Sequence, residues 1–263
     1  MRESNNPGGM HRVSDVLRDI QLRSSAGASD VPEPEEANEC PICKGSCYVH
    51  PRKENGRPDY SRTVPCKCVR EQINQRKRAY MLKNCELPEA SEHMTFENFR
   101  IHPGTEEAYE AALAVAEERA SCNWLTLLSD SDRGKTHLLV AVCRHWLRQE
   151  KPARYAYVPL LLDELRRGFR EGGDLSYEAR FEFFLNVPLL ALDDLGTEHR
   201  TPWVQERLDT ILDYRLMHGL ALVVTTNLPM DELPFRIASR LQRKGKVVVI
   251  DAAEYSSVKE GLK

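Results

Sequence analysis

From residue 124 onward the chain alternates short apolar runs with longer amphipathic ones, and this alternation restricts the fold more than any other feature. "WLTLL" (124–128), "ARYAYVP" (153–159), "VPLLALDDL" (187–195), "LALVVTTN" (220–227) and "GKVVVID" (245–251) read as strands. Between them "KTHLLVAVCRHWLRQE", "LLLDELRRGF", "YEARFEFFLN", "WVQERLDTILDYRLMHG" and "LPFRIASRLQ" read as helices, the fourth closed by Gly219. Strands that are apolar throughout are buried on both faces, and intervening helices of about ten residues or more are the crossovers of a mainly parallel sheet. The expected class is therefore α/β, a parallel sheet flanked by helices. One more helix is expected ahead of the first strand, in "GTEEAYEAALAVAEERA", after "MTFENF" (94–99).

Chemistry-bearing residues fall at the strand ends. The first strand runs into "SDSDRGKTH" and then a helix, the context of a phosphate-binding loop with pattern G-x-x-x-x-G-K-[ST]. Gly134 lets the backbone approach phosphate oxygens, and Lys135 reaches the β- and γ-phosphates. The Thr136 hydroxyl helps hold Mg2+, and the new helix aims its positive N-terminal end at the anion. Asp193 follows Thr136 by 57 residues, at the end of the buried run "LLALDDL". There Asp193 is expected to bind Mg2+ through water, and Asp194 to orient or deprotonate the attacking water. Asn227, at the tip of "LVVTTN", is placed to position water near a γ-phosphate.

In this order, the G-K-T-H-L segment, "LLALDDLG", "VVTTNL" and "RIASRL" resemble the AAA+ ATPases of the DnaC/IstB helicase-loader group over roughly residues 94–250. The resemblance implies a P-loop NTPase fold with a minimal or absent lid, ATP and Mg2+ as ligands, and ATP hydrolysis to ADP and phosphate. It implies that Asn227 is the sensor-1 residue. It also implies that Arg240, assisted by Arg236, is an arginine finger reaching a neighbouring subunit's nucleotide, hence self-association. The implied partners are a hexameric replicative helicase and single-stranded DNA, and the implied role is loading or remodelling that helicase. An IstB-like transposition helper and a non-hydrolysing adaptor remain alternatives.

The phosphate loop departs from its pattern. Ser129 stands where the first glycine belongs, a substitution tolerated if φ stays negative and otherwise costing on the order of 1 kcal/mol. Ser129, Asp130, Ser131, Asp132 and Arg133 lead into Gly134, and Asp132 occupies a position where the group usually has another glycine. Facing inward, that carboxylate repels a triphosphate by about 1–3 kcal/mol, roughly a 10- to 100-fold loss of affinity near the middle of that range. Facing outward beside Arg133, it has less effect. Because Lys135, Thr136, Asp193, Asp194 and Asn227 are all present, the expectation is a working but weakened ATP site. His137, next to the motif, is counted with the loop, although histidines in such positions mostly pack or cap.

Five of the eight cysteines lie between residues 40 and 68, in "CPICKGSCYVH" and "PCKC". Cys40 and Cys43 form a C-x-x-C pair, and Cys66 and Cys68 follow after 22 residues. Four thiolates make a closed tetrahedral structural Zn2+ site, with Cys47 and His50 as possible substitutes and free thiols or an iron–sulfur cluster as alternatives. Cysteines ahead of the ATPase region also fit the DnaC-like resemblance. Cys85, Cys122 and Cys143 read as ordinary thiols.

These features divide the chain into a mostly disordered segment (1–38), a zinc module (39–69), a basic helical linker (70–93) and an AAA+ domain (94–263). The first segment carries a short amphipathic helix on Val13, Val16, Leu17 and Ile20, with Met10 just ahead as an alternative start. The net charge of -3 argues against a uniformly basic nucleic-acid binder. The runs "VREQINQRKRAYMLK" (69–83) and "RIASRLQRKGK" (236–246) still provide local basic faces. No apolar run approaches the roughly 18 residues of a membrane span and no signal peptide is evident, so a cytoplasmic protein is expected.

Overall fold

The computed structural model describes residues 40–170 and 174–255. The amphipathic helix expected within 1–38 lies outside the described residues. The chain divides into two compact units, one ending at Gln72 and the other beginning at Ile73.

In the first unit, β1 (Tyr48–Val49) and β2 (Val64–Pro65) pair antiparallel, Tyr48 opposite Pro65 and Val49 opposite Val64. The turn after Cys43 runs through Lys44 (φ 51°) and Gly45 (φ 84°). The Cys66 N–H donates to Cys47 O at 2.8 Å. Helix α1 (Lys67–Cys85) starts within the cysteine cluster, with Cys68 in its first turn.

The second unit is built on five parallel strands: β3 (Trp124–Leu128), β4 (Ala153–Tyr157), β5 (Leu189–Asp193), β6 (Ala221–Thr226) and β7 (Lys246–Val249). Their order is β4-β5-β6-β3-β7. Helices α2 (Glu106–Ala116), α3 (Lys135–Arg148), α4 (Val158–Arg170), α5 (Asp174–Asn186), α6 (Pro202–Met217) and α7 (Phe235–Lys244) complete it. The chain leaves β3 for the far edge of the sheet and works back, so β6 ends up between β3 and β5. Ligands of open α/β sheets bind where the strand order reverses in this way, beyond the carboxyl ends of the strands.

Side-chain alternation along each strand feeds two cores. Leu125, Leu127, Ala191 and Val223 face one side, packed with Leu138, Leu139, Val142 and Trp146 of α3 and Ala112 and Val115 of α2. Trp124, Leu190, Leu192, Leu222 and Val224 face the other, packed with Leu161 and Leu165 of α4, Leu208 and Ile211 of α6, and Ile237 and Leu241 of α7. Leu138 and Leu139 are fully buried, so truncating either to alanine costs about 2–5 kcal/mol. Helix α6 is well delimited. Thr201 caps its start by accepting from the Val204 N–H at 3.3 Å, Pro202 occupies the first turn, and Gly219 (φ 63°) follows its end.

Several boundaries differ from the sequence reading, and two of the differences have a clear local cause. The strand expected over 153–159 stops at Tyr157, and Pro159 becomes the second residue of α4, because proline is tolerated in a helix's first turn where no N–H is needed. The strand expected over 187–195 shortens to Leu189–Asp193, because Asp194 turns the chain at φ 63°. Sequence reasoning also passed over Arg215, a fully buried arginine of α6. It donates to Phe184 O (3.1 Å), Leu185 O (3.3 Å), Val187 O (2.9 Å), Pro188 O (3.2 Å) and Ala221 O, tying the end of α5 to the starts of β5 and β6. Burial lowers its pKa to about 9.

Candidate functional site

At the carboxyl end of β3 the chain folds residues 129–134 into a loop and enters α3 at Lys135. Ser129 is buried, its N–H donates to Thr226 O at 3.3 Å, and its φ is not positive, so serine fits here without backbone strain. Asp132 differs. It holds φ 57°, in the left-handed region where glycine is favoured. Its carbonyl accepts the Tyr255 N–H at 2.8 Å. Arg133 bonds Asp130 at 2.9 Å and Ala252 O at 2.6 Å, so the segment after β7 is fastened to the loop at two points. Gly134 has φ 89°, and a Cβ there would meet the Phe99 ring at 2.9 Å. Lys135 Nζ donates to Ser129 O (2.8 Å), Ser129 Oγ (3.0 Å) and Asp130 O (2.6 Å). Burial lowers the Lys135 pKa, against the opposing pull of Asp194, Asp193 and Asp130.

The acids arrive from the neighbouring strands. Asp193, 5% exposed at the end of β5, accepts from three hydroxyls: Thr136 Oγ1 at 3.1 Å, Thr225 Oγ1 at 2.6 Å and Tyr155 OH at 2.8 Å. Burial and Asp193 push the Tyr155 hydroxyl well above its ordinary pKa, so it stays a donor. Thr225 Oγ1 also accepts the Asp194 N–H at 2.8 Å, and Asn227 Nδ2 donates to Asp194 Oδ1 at 2.9 Å. His137 lies beside them. Its Nε2 is 2.8 Å from Thr95 O, which fixes that nitrogen as the donor, and its ring meets Phe99 edge-on. Burial lowers its pKa, with the Thr95 carbonyl opposing.

A cavity of about 510 Å3 joins these groups. Residues 131–137, Asp193, Asp194 and Asn227 line it, and Ser129 and Asp130 reach it through Lys135. Asp132 lines the cavity and is exposed. Tyr155 and Thr225, which organise Asp193, were not singled out in the sequence. The adjacent threonines of "VVTTN" were the available signal for Thr225, and Tyr155 had none, because its role depends on β4 pairing beside β5. Arg240 is elsewhere. Its guanidinium lies against Asp213 of α6 (2.7 Å from Nη2, with Nε also donating) and Asp209 (3.2 Å), and its side chain is 15% exposed. Arg236 lies 3.6 Å from Asp209. Neither arginine lines the cavity of its own chain.

In the N-terminal unit the Sγ atoms of Cys40, Cys43, Cys66 and Cys68 all lie within 4.8 Å of one another. Cys40 and Cys66 are 3.8 Å apart, and Cys43 and Cys68 are 3.5 Å apart. Sulfur ligands about 2.3 Å from a tetrahedral zinc stand about 3.8 Å from one another, so the cluster fits a closed Zn2+ site. Backbone N–H groups of Cys43 and Ile42 lower the Cys40 pKa to about 6, favouring the thiolate a metal needs. Burial and hydrogen bonds from Cys43, Cys66 and Cys40 push Cys68 up to about 12. Cys47 turns to Gly45 O at 3.6 Å and His50 to Arg62 O at 2.9 Å, outside the cluster.

A parallel five-stranded sheet carrying a strand–loop–helix phosphate site, with paired acids two strands away, defines a P-loop ATPase of the AAA+ class. Within that class the chain belongs to the bacterial DnaA ATPase domain family, which matches residues 90–249. Among relatives, YqaM of Bacillus subtilis is 27% identical over 184 residues, 64% of this chain and 55% of that one. The replicative helicase loader DnaI of the same organism is 31% identical over 101 residues, 38% of this chain and 32% of that one. The chromosomal replication initiator DnaA of Thermotoga petrophila is 34% identical over 153 residues, 56% of this chain and 34% of that one. The matches thus span little more than half of YqaM and about a third of the other two. Among solved structures, domain III of Thermotoga maritima DnaA aligns with TM-score 0.57 and 26% identity, over 64% of this chain and 71% of that one. The DnaC helicase loader aligns with TM-score 0.55 and 20% identity, over 62% and 100%, a likeness of fold. Among the described residues no helix is long and apolar enough to cross a membrane.

Proposed function

We propose that the protein is a DnaC-like ATPase that binds and hydrolyses ATP while loading or remodelling a replicative helicase on single-stranded DNA. The observation that carries this reading is the meeting of Lys135, Thr136, Asp193, Asp194 and Asn227 around one cavity, in a chain homologous to a protein named as a helicase loader. Lys135 exchanges its bonds to Ser129 and Asp130 for phosphate oxygens. Thr136 and Asp193 are the residues that would hold Mg2+, which supplies charge neutralisation at the β- and γ-phosphates. Asp194, oriented by Asn227, receives the proton as water oxygen bonds to the γ-phosphorus. The bond to the β-phosphate oxygen breaks, leaving ADP and phosphate. Arg240 of one protomer leaves Asp213 to stabilise the charge at a neighbour's nucleotide.

The Cys40, Cys43, Cys66 and Cys68 unit holds a structural Zn2+. Basic residues of α1, among them the exposed Arg76 and Lys83, meet DNA phosphates. The four-part division at residues 39, 70 and 94 is part of the same proposal.

The test is co-purification with the host's replicative helicase in ATP and in ADP, beside turnover measured with and without single-stranded DNA. Binding to the helicase with DNA-responsive turnover is expected. Failure to bind it with either nucleotide overturns the loader reading. Binding without turnover leaves the adaptor reading in its place.

A further inference from the structure

Towards its end, helix α1 is buried on one side only. Met81 and Cys85, four residues apart, are buried, and Cys85 joins the core that α3 also enters. Arg78, Ala79 and Leu82 of α1 stay exposed. With Arg144, Leu147 and Arg148 of α3 they line a groove of about 450 Å3, which shares no residue with the nucleotide cavity. Three of its six side chains are arginines, the other three are apolar, and none is acidic.

The charge around this groove is lopsided. Arg148 lies 2.8 Å from Glu97, and Arg78 lies 3.2 Å from Glu150, which Lys77 shares at 3.5 Å. These pairs are at the surface, where ion pairs are weak and exchange readily for another anion. Among the described residues no carboxylate pairs with Arg144, whose Nη2 donates only to Ser91 Oγ at 3.3 Å. Four cations therefore face two carboxylates. The solvent side of α1 continues the pattern. Arg76, Tyr80 and Lys83 recur at spacings of four and three on one helical face, all exposed, and Tyr80 is 71% exposed. Phosphates are held by such cations, and unpaired bases stack on such a ring. An acidic peptide uses the arginines alone, so the tyrosine between two cations favours a strand of unpaired bases.

We propose that this groove is a track for single-stranded DNA, in which Arg78, Arg144 and Arg148 hold phosphates and Tyr80 stacks on a base as the strand crosses α1. The inference rests on the reading of the protein as a single-stranded DNA binder and adds α3 to the surface that binds. One helix then serves both ligands, with Lys135 and Thr136 in its first turn and Arg144 and Arg148 near its end.

The experiment is fluorescence anisotropy of a labelled oligothymidylate titrated with the full-length protein between about 50 and 200 mM salt. Each phosphate contact contributes about 0.7 to the slope of log affinity against log salt. The variant Arg78→Gln/Arg148→Gln, altered only at exposed positions, is expected to lose about 1.4 of that slope, and adding Arg144→Gln about 2 in all. Arg119→Gln/Lys151→Gln removes the same charge outside the groove and is expected to keep the wild-type slope. Tyr80→Ala is expected to bind about tenfold more weakly at every salt concentration with the slope unchanged, as the loss of one stacked base requires. A wild-type slope in Arg78→Gln/Arg148→Gln overturns the track and leaves DNA binding elsewhere on the protein standing. If that variant keeps its slope but no longer co-purifies with the host's replicative helicase, the groove holds a protein instead. No DNA binding by the wild type overturns both the track and the reading beneath it.

Discussion

Thr136 Oγ1 donates to both carboxylate oxygens of Asp193, 3.1 Å from each, and so joins the first turn of α3 to the end of β5 across 57 residues of chain. Under the proposed function these two side chains are the ones that would hold Mg2+, which would supply charge neutralisation at the phosphates. With Thr225 and Tyr155 also donating, Asp193 is held by three hydroxyls, a structural role besides the one proposed for it at the nucleotide. Asp193→Ala is therefore expected to lose Mg2+-dependent ATP binding and also to destabilise the fold by about 2–4 kcal/mol, since buried hydroxyls lose their acceptor. Urea unfolding reads the second effect separately from the first. An unchanged midpoint would show that the three hydroxyls find other partners.

Asp132 holds a backbone conformation suited to glycine and adds a negative charge to the phosphate site. Asp132→Gly is expected to stabilise the protein by about 1 kcal/mol and to tighten ATP binding roughly tenfold. Ser129→Gly alone brings no such gain in stability, because Ser129 already has a permitted φ. Calorimetric titration with ATP, beside thermal unfolding, distinguishes the two positions. Equal affinities for wild type and Asp132→Gly would mean that the carboxylate points away from the phosphates.

Asp194 accepts from Asn227 and lines the cavity, while under the proposed function Lys135, Thr136 and Asp193 supply the binding contacts. Asp194→Asn is accordingly expected to keep ATP affinity within a few-fold and to lose about 10²–10⁴ in turnover. Parallel binding and phosphate-release assays check this. A matching loss in both would place Asp194 among the binding groups.

Four sulfurs arranged for one tetrahedral ion predict about one equivalent of zinc per chain, with Cys43→Ser or a strong chelator releasing it. Elemental analysis of protein purified without chelator gives the stoichiometry. Less than half an equivalent would exclude a resident structural metal. The loss is expected to unfold the N-terminal unit, whose paired strands have only two residues each.

What the sequence revealed, and what it concealed, follows from locality. Buried strands and amphipathic helices leave periodic patterns within ten residues, and Gly134, Lys135 and Thr136 announce themselves by their order at a helix start. The pairing of Asp193 with Tyr155 leaves no such trace, because it arises from β4 lying beside β5, a parallel register between distant segments. Arg215 is hidden in the same way. An arginine in an amphipathic helix reads as solvated until five carbonyls, from α5, the turn before β5 and β6, are found around it. Pro159 misled for a local reason, since proline suits both a strand's end and a helix's first turn.

Arg240 separates a clamp within one chain from a finger between chains. In its own chain it is paired with Asp213 and Asp209 and does not line the cavity. A purely structural clamp predicts that Arg240→Ala lowers stability and changes turnover per protomer to the same extent at every protein concentration. A finger in trans predicts complementation. Arg240→Ala keeps a complete phosphate loop, and Lys135→Ala keeps the arginine, so each variant alone is expected to be nearly inactive under assembling conditions. Mixed in equal amounts on single-stranded DNA, they are expected to regain a measurable fraction of wild-type turnover, because an Arg240→Ala protomer receives the arginine of its Lys135→Ala neighbour. Turnover of the mixture no greater than the mean of the two variants would assign Arg240 to the fold of its own chain.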